Sequence, residues 1–83
     1  MFIMNIKLIS TTIKNLKSDN DLNNFLIGIL TPEEVDQMIK RIKIVQMLKK
    51  GIPQHQIAEK LGVGIATVTR GSRMLKEGRF DNV

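Results

Sequence analysis

An all-α fold follows from three observations on the chain. Apolar residues recur every third or fourth position, strict alternation is too scarce for a sheet, and Gly and Pro fall where helices would start or stop. Of the 83 residues, 42% are hydrophobic, and only Phe2, Phe25 and Phe80 are aromatic. Such a composition suits Ile, Leu, Val and Met packed helix on helix. Five helices fit the punctuation.

Ile6, Ile9, Ile13 and Leu16 mark a first amphipathic helix that stops in the polar cluster Ser18, Asp19, Asn20. A shorter second helix, about 21–29, carries Leu22, Phe25, Leu26 and Ile29 on one side. The third starts at Thr31-Pro32-Glu33-Glu34: Thr31 caps, Pro32 suits the first helical position, and Glu34 completes a capping box. Val35, Met38, Ile39, Ile42, Val45 and Leu48 keep the helical period as far as Lys50. There, two lysines favour the negative dipole end and Gly51 permits a left-handed exit. Pro53 opens a fourth helix, roughly 54–61, which ends at Gly62. The fifth begins near Gly64 or Ile65 and ends before Gly78, and residues 79–83 are expected to fray.

Eighty-three residues allow one domain, 1–83, with so small a core that a partner chain is expected. The first two helices are short and sparse in core residues, as if to wrap a second subunit. Residues 1–50 then supply dimerisation helices and core, and 54–77 a reading head. The absence of cysteine excludes disulfides and thiolate metal sites and suits a reducing cytoplasm. The start MFIMNIKLI is apolar, but Asn5 and Lys7 interrupt it and no small-residue cleavage site follows. It reads as the first helix of a soluble protein, with a short amphipathic membrane anchor as the lesser alternative.

Residues 54–76, QHQIAEKLGVGIATVTRGSRMLK, read as a helix-turn-helix. Ala58 supplies the small residue where the helices cross, and Gly62 permits positive φ at the turn. Leu61, Val63, Ile65 and Val68 are the apolar residues that pin the pair. Ala66, Thr67, Thr69, Arg70 and Arg73 are short or basic side chains suited to a groove. Charge agrees: the net +5 concentrates as +8 between residues 40 and 79, against −2 over residues 1–39, with Asp81 adding one more negative charge. A basic stretch alone is equally a solvated face; its coincidence with this pattern points to double-stranded DNA.

No phosphate loop, metal constellation or nucleophile with a matching base is present, so neither an enzyme nor a catalytic residue is expected. Glu33, Glu34 and Asp36 lie in one helix start and are explained by capping. His55 has no second His or Cys to share a metal and reads as solvated surface.

LTPEE at 30–34, RIKIV at 41–45 and LGVGIATVTRGS at 61–72 follow one another in an order and spacing that resemble the tryptophan repressor family over residues 30–76. The resemblance implies an intertwined all-helical homodimer that binds palindromic operators as a transcriptional repressor, with L-tryptophan as corepressor and no other cofactor. It places Gln54 near a phosphate and Ile65, Ala66 and Thr69 at the base-reading face. Thr67 lets the helix approach, the amides near Gly64 receive a phosphate, and Arg73 and Lys76 join the basic surface. Ile65 remains readable as core. For the ligand, the resemblance sets Arg41 and Arg70 on opposite faces of an indole, Arg70 and Thr31 near the carboxylate, and the Leu30 carbonyl at the ammonium. Read without it, the two arginines are phosphate contacts or solvated surface.

Four positions depart from the family pattern. Met74 replaces a serine hydroxyl that helps hold the ammonium, Arg73 adds charge beside it, GIPQ is one residue short, and His55 replaces an arginine that reaches guanine. Three rivals follow: a dimeric regulator that needs no ligand, the DNA-binding piece of a transposase or recombinase, and a module binding an acidic protein.

Overall fold

The computed structural model describes residues 2–83, with side chains from Asn5 onward. Part of the apolar start MFIMNIKLI therefore lies outside the described residues. The described chain is all-helical: α1 (Phe2–Lys14), α2 (Asp19–Ile29), α3 (Pro32–Lys49), α4 (Gln54–Leu61) and α5 (Ile65–Lys76). It falls into two compact units, Met1–Val35 and Asp36–Val83.

In the first unit, α1 ends at Lys14, two residues before the apolar stripe does, and Leu16 closes the exit by donating to Ile13 O at 3.1 Å. Ser18 starts the next helix instead of merely stopping the last. Its hydroxyl accepts the Asp21 amide at 3.1 Å, and α2 accordingly begins two residues earlier than its apolar period suggests. The third helix start carries a reciprocal box: Thr31 N–H donates to Glu34 Oε1 at 2.8 Å, and Glu34 N–H to Thr31 Oγ1 at 3.2 Å. No residue from Asn5 to Val35 is buried.

The second unit holds the core. Ile44, Ile57 and Val68 are fully enclosed, one from each of α3, α4 and α5, and Met47, Leu48, Ile52, Ala58, Leu61 and Val63 pack around them. Burying such a branched side chain contributes roughly 1.5–3 kcal/mol. The helix ends feed this core. Val63 N–H donates to Ala58 O and Gly62 N–H to Glu59 O, the paired closure of a Schellman end, with Gly62 at φ 65°. Ile52 and Gly51 close α3 likewise onto Met47 and Leu48, and Arg79 and Gly78 close α5 onto Met74 and Leu75. In the first two cases the residue after the glycine, Val63 or Ile52, joins the core cluster.

Three expectations are corrected here. On α3 the stripe Met38, Ile39, Ile42 stays 41–46% exposed, and Ile44, off that stripe, is enclosed beside Val45. Ile65 is 51% exposed and does not pin α4 to α5. Residues 79–82 form turns instead of fraying: Lys49 Nζ donates to the Phe80 carbonyl and to a terminal oxygen of Val83, and Phe80 is half-buried.

Candidate functional site

Alpha-helical periodicity divides α5 into three stripes. Val68 points into the core. Ile65, Thr69, Arg73 and Lys76, spaced four, four and three apart, form an exposed stripe, and Arg73 and Lys76 make no ion pair among the described residues. Ala66, Thr67, Arg70, Gly71 and Met74 face a cavity. Gly64 precedes α5 as its N-cap with no side-chain bond to the first turn, so the amides of Ile65 and Ala66 have no intrahelical acceptor.

Thr69 links α5 to the start of α4: its hydroxyl donates to Gln54 Oε1 at 2.9 Å. Gln54 is half-buried, held as the first residue of α4 after the extended Pro53. His55 is exposed.

The cavity measures about 700 Å³ and lies wholly within the second unit. Ile44, Val45, Met74 and Phe80 are its apolar lining residues, and Arg41, Arg70, Arg79 and Thr67 line it as well. Gly71 lets α5 approach α3 here, since a Cβ on it would lie 2.9 Å from Ile44 Cγ2. A smaller cavity of about 310 Å³ has Gln37, Lys40, Arg41, Val63, Gly64 and Thr67 around it. Lys40 is tied to Asp36 at 3.0 Å on the same helix. Among the described residues no group of His, Cys, Asp and Glu gathers with metal-binding geometry, and no helix is long and apolar enough to cross a membrane.

The structure thus brings Arg41 and Arg70 to one cavity, together with Ala66 and Thr67, and joins Gln54 to Thr69. Leu30 and Thr31 belong to the other unit, where the Thr31 hydroxyl is engaged in capping α3. Sequence reasoning missed Arg79 and Phe80 as cavity residues. Phe80 is one of only three aromatics in the chain, which was the available signal; the Lys49 bonds that fix the turn have none.

The chain is similar to several curated proteins. It is 50% identical over 52 residues to a Trp operon repressor homolog of Vibrio vulnificus (strain YJ016), covering 61% of this chain and 51% of that protein. The Actinobacillus succinogenes homolog is 41% identical over 66 residues, covering 78% and 65%. The Aliivibrio salmonicida homolog is 39% identical over 70 residues, covering 83% and 65%. The chain thus spans between about half and two thirds of the length of these relatives. No solved structure matches it. The family described as Trp repressor protein matches residues 4–82, nearly the whole chain, and the chain therefore belongs to the Trp repressor family.

Proposed function

We propose that the chain is a DNA-binding transcriptional repressor that works as a homodimer on palindromic duplex sites and is controlled by L-tryptophan or a related small molecule. The carrying observation is that α5 serves two surfaces at once: an exposed stripe of Ile65, Thr69, Arg73 and Lys76, and one wall of the cavity that holds Arg41 and Arg70. In this reading α4 and α5 form the helix-turn-helix, and α5 enters the major groove.

Short Ala66 and Thr67 let the helix come close, Ile65 and Thr69 meet base edges, and Arg73 and Lys76 hold phosphates electrostatically. The open amides of Ile65 and Ala66, after Gly64, receive a further phosphate. Gln54 reaches the backbone from the start of α4. A ligand between the Arg41 and Arg70 guanidinium planes holds α5 at the orientation DNA requires; in a two-fold dimer it spaces the two heads at about 34 Å, one helical turn. The ligand acts by binding one arrangement of the heads better than the others.

Fluorescence anisotropy with duplexes selected from a random palindromic library, with and without L-tryptophan, tests the proposal. Tighter binding with ligand is expected, together with a steep loss of affinity as salt rises. Arg41→Ala should abolish the ligand response and leave the salt slope unchanged, because the phosphate contacts come from other residues. An undiminished response in that variant would sink the clamp.

A second reading, a regulator that needs no ligand, is favoured by one observation: Met74 puts a thioether on the cavity wall where the family resemblance expects a hydroxyl. DNA binding of equal strength with and without ligand would establish it.

A further inference from the structure

We propose that Lys49 is a positioning residue for the DNA-reading helix: by clasping the turn at residues 78–83 to the end of α3 it sets the tilt of α5, and so supplies DNA affinity before any ligand enters the cavity. This inference rests on the DNA-binding reading above.

The first argument is connection. Lys49 is the last residue of α3, and its Nζ donates to the Phe80 carbonyl and, at 2.9 Å, to a terminal oxygen of Val83. Among the described residues no other side-chain hydrogen bond or ion pair joins α3 to any later part of the chain. The ion pairs formed there are Lys40 with Asp36 and Arg79 with Glu77, so no carboxylate side chain competes for the Lys49 ammonium. A charged donor makes the stronger kind of hydrogen bond.

The second argument is that the turn moves with α5. Glu77 N–H donates to Arg73 O at 3.1 Å, Gly78 N–H to Leu75 O at 3.1 Å and Arg79 N–H to Met74 O at 3.2 Å. Val83 N–H then closes the turn on Phe80 O at 3.1 Å. Whatever holds the turn therefore holds the C-terminal end of α5.

The third argument is leverage. α5 touches α3 at Gly71, where an added Cβ would lie 2.9 Å from Ile44 Cγ2. The α5 residues around the cavity fall on both sides of that contact, with Ala66, Thr67 and Arg70 before it and Met74 after it. At the helical rise per residue, Ile65 stands about 9 Å from Gly71 along the axis. With Gly71 as the fulcrum, a clasp at one end of α5 fixes the position of the other, where Ile65 and Thr69 are exposed. A ligand between Arg41 and Arg70 acts on the same tilt from the N-terminal side. Clasp and ligand therefore bias one equilibrium between orientations of α5, and the clasp acts whether or not the cavity is filled.

Anisotropy titrations of the full chain with the selected duplex test the inference. Lys49→Met keeps the length of the stem and removes the donors. Without ligand it should weaken DNA binding about fivefold, and at saturating L-tryptophan the deficit should fall below about twofold, because the ligand then sets the tilt. Lys49→Arg, which keeps donors at this position, should recover most of the ligand-free affinity. The salt slope should not change in either variant, since Lys49 touches no phosphate in this account. Amide exchange at Gly78 and Arg79 should quicken in Lys49→Met, while Ile57 in the core keeps its protection.

Ligand-free affinity equal to wild type in Lys49→Met overturns the inference and leaves the DNA-binding regulator standing. An equal loss with and without tryptophan, accompanied by a shallower salt slope, also overturns it, because that marks a lost phosphate contact. If tryptophan leaves the wild type unchanged, the ligand-free loss, its rescue by Lys49→Arg and the faster exchange at Gly78 and Arg79 support the clasp, and their absence overturns it. A wild type that binds no duplex overturns the DNA-binding reading and this inference with it.

Discussion

At Gly71, a hydrogen stands where any other side chain would collide with the core. An added Cβ would lie 2.9 Å from Ile44 Cγ2 and 3.8 Å from Leu48 Cδ1. Ile44 is 1% exposed and its Cγ2 is rooted on the Cβ, so that methyl cannot swing aside. Alanine in mid-helix recovers about 1 kcal/mol of backbone preference, whereas overpacking a tight contact costs roughly 1–3 kcal/mol. The clash should prevail: Gly71→Ala should lower the urea midpoint with an unchanged m value, and a midpoint equal to wild type would mean that α5 can shift freely. From sequence, Gly71 was legible only as part of the GIATVTRGS run. Its spatial reason was not, because Ile44 is 27 positions away and only the packed fold makes them neighbours.

The elements were most legible where the determining contact is local. Thr31, Pro32 and Glu34 announce the start of α3, and both bonds of the box are present within four residues. Thr31→Ala should cost about 1 kcal/mol, measured by denaturant melting, and the same substitution in a Glu34→Ala background should cost less, because the reciprocal partner is already gone. Additive losses would show that the two bonds act separately. The faces of α3 were harder to read. Apolar residues at 38, 39, 42, 44 and 45 surround more than one side of the helix, so periodicity alone favoured Ile42 over Ile44. The enclosed residue is the one that α4 and α5 cover, and their positions depend on contacts distant in sequence. The Lys49 clasp on Phe80 and Val83, across more than thirty residues, was illegible for the same reason.

Taken as a whole molecule, the chain is unevenly provided for. Among the described residues four apolar side chains are buried, all in the second unit, while Ile6, Leu8, Ile9, Ile27 and Ile29 in the first are 49–73% exposed. Such a surface on a chain of 83 residues is costly in water, and the proposed homodimer gives it a cover. Sedimentation should return twice the 9.4 kDa of one chain, and the melting temperature should rise with protein concentration. Ile42→Glu, which places a charge within the exposed stripe of α3, should weaken association and reduce that concentration dependence. A single-chain mass at every concentration would remove the dimer from the account.

The bond from Thr69 to Gln54 gives the α4–α5 pair a polarity. A hydroxyl has one proton, and Thr69 spends it on the Gln54 oxygen. While that bond lasts, Thr69 presents lone pairs alone to an approaching duplex, and Gln54 presents amide hydrogens. In the proposed complex the Thr69 oxygen would therefore accept from an exocyclic amino group on a base, and the Gln54 amide hydrogens would donate to a phosphate oxygen. Under the proposed function, the protein sets this preference before the duplex arrives.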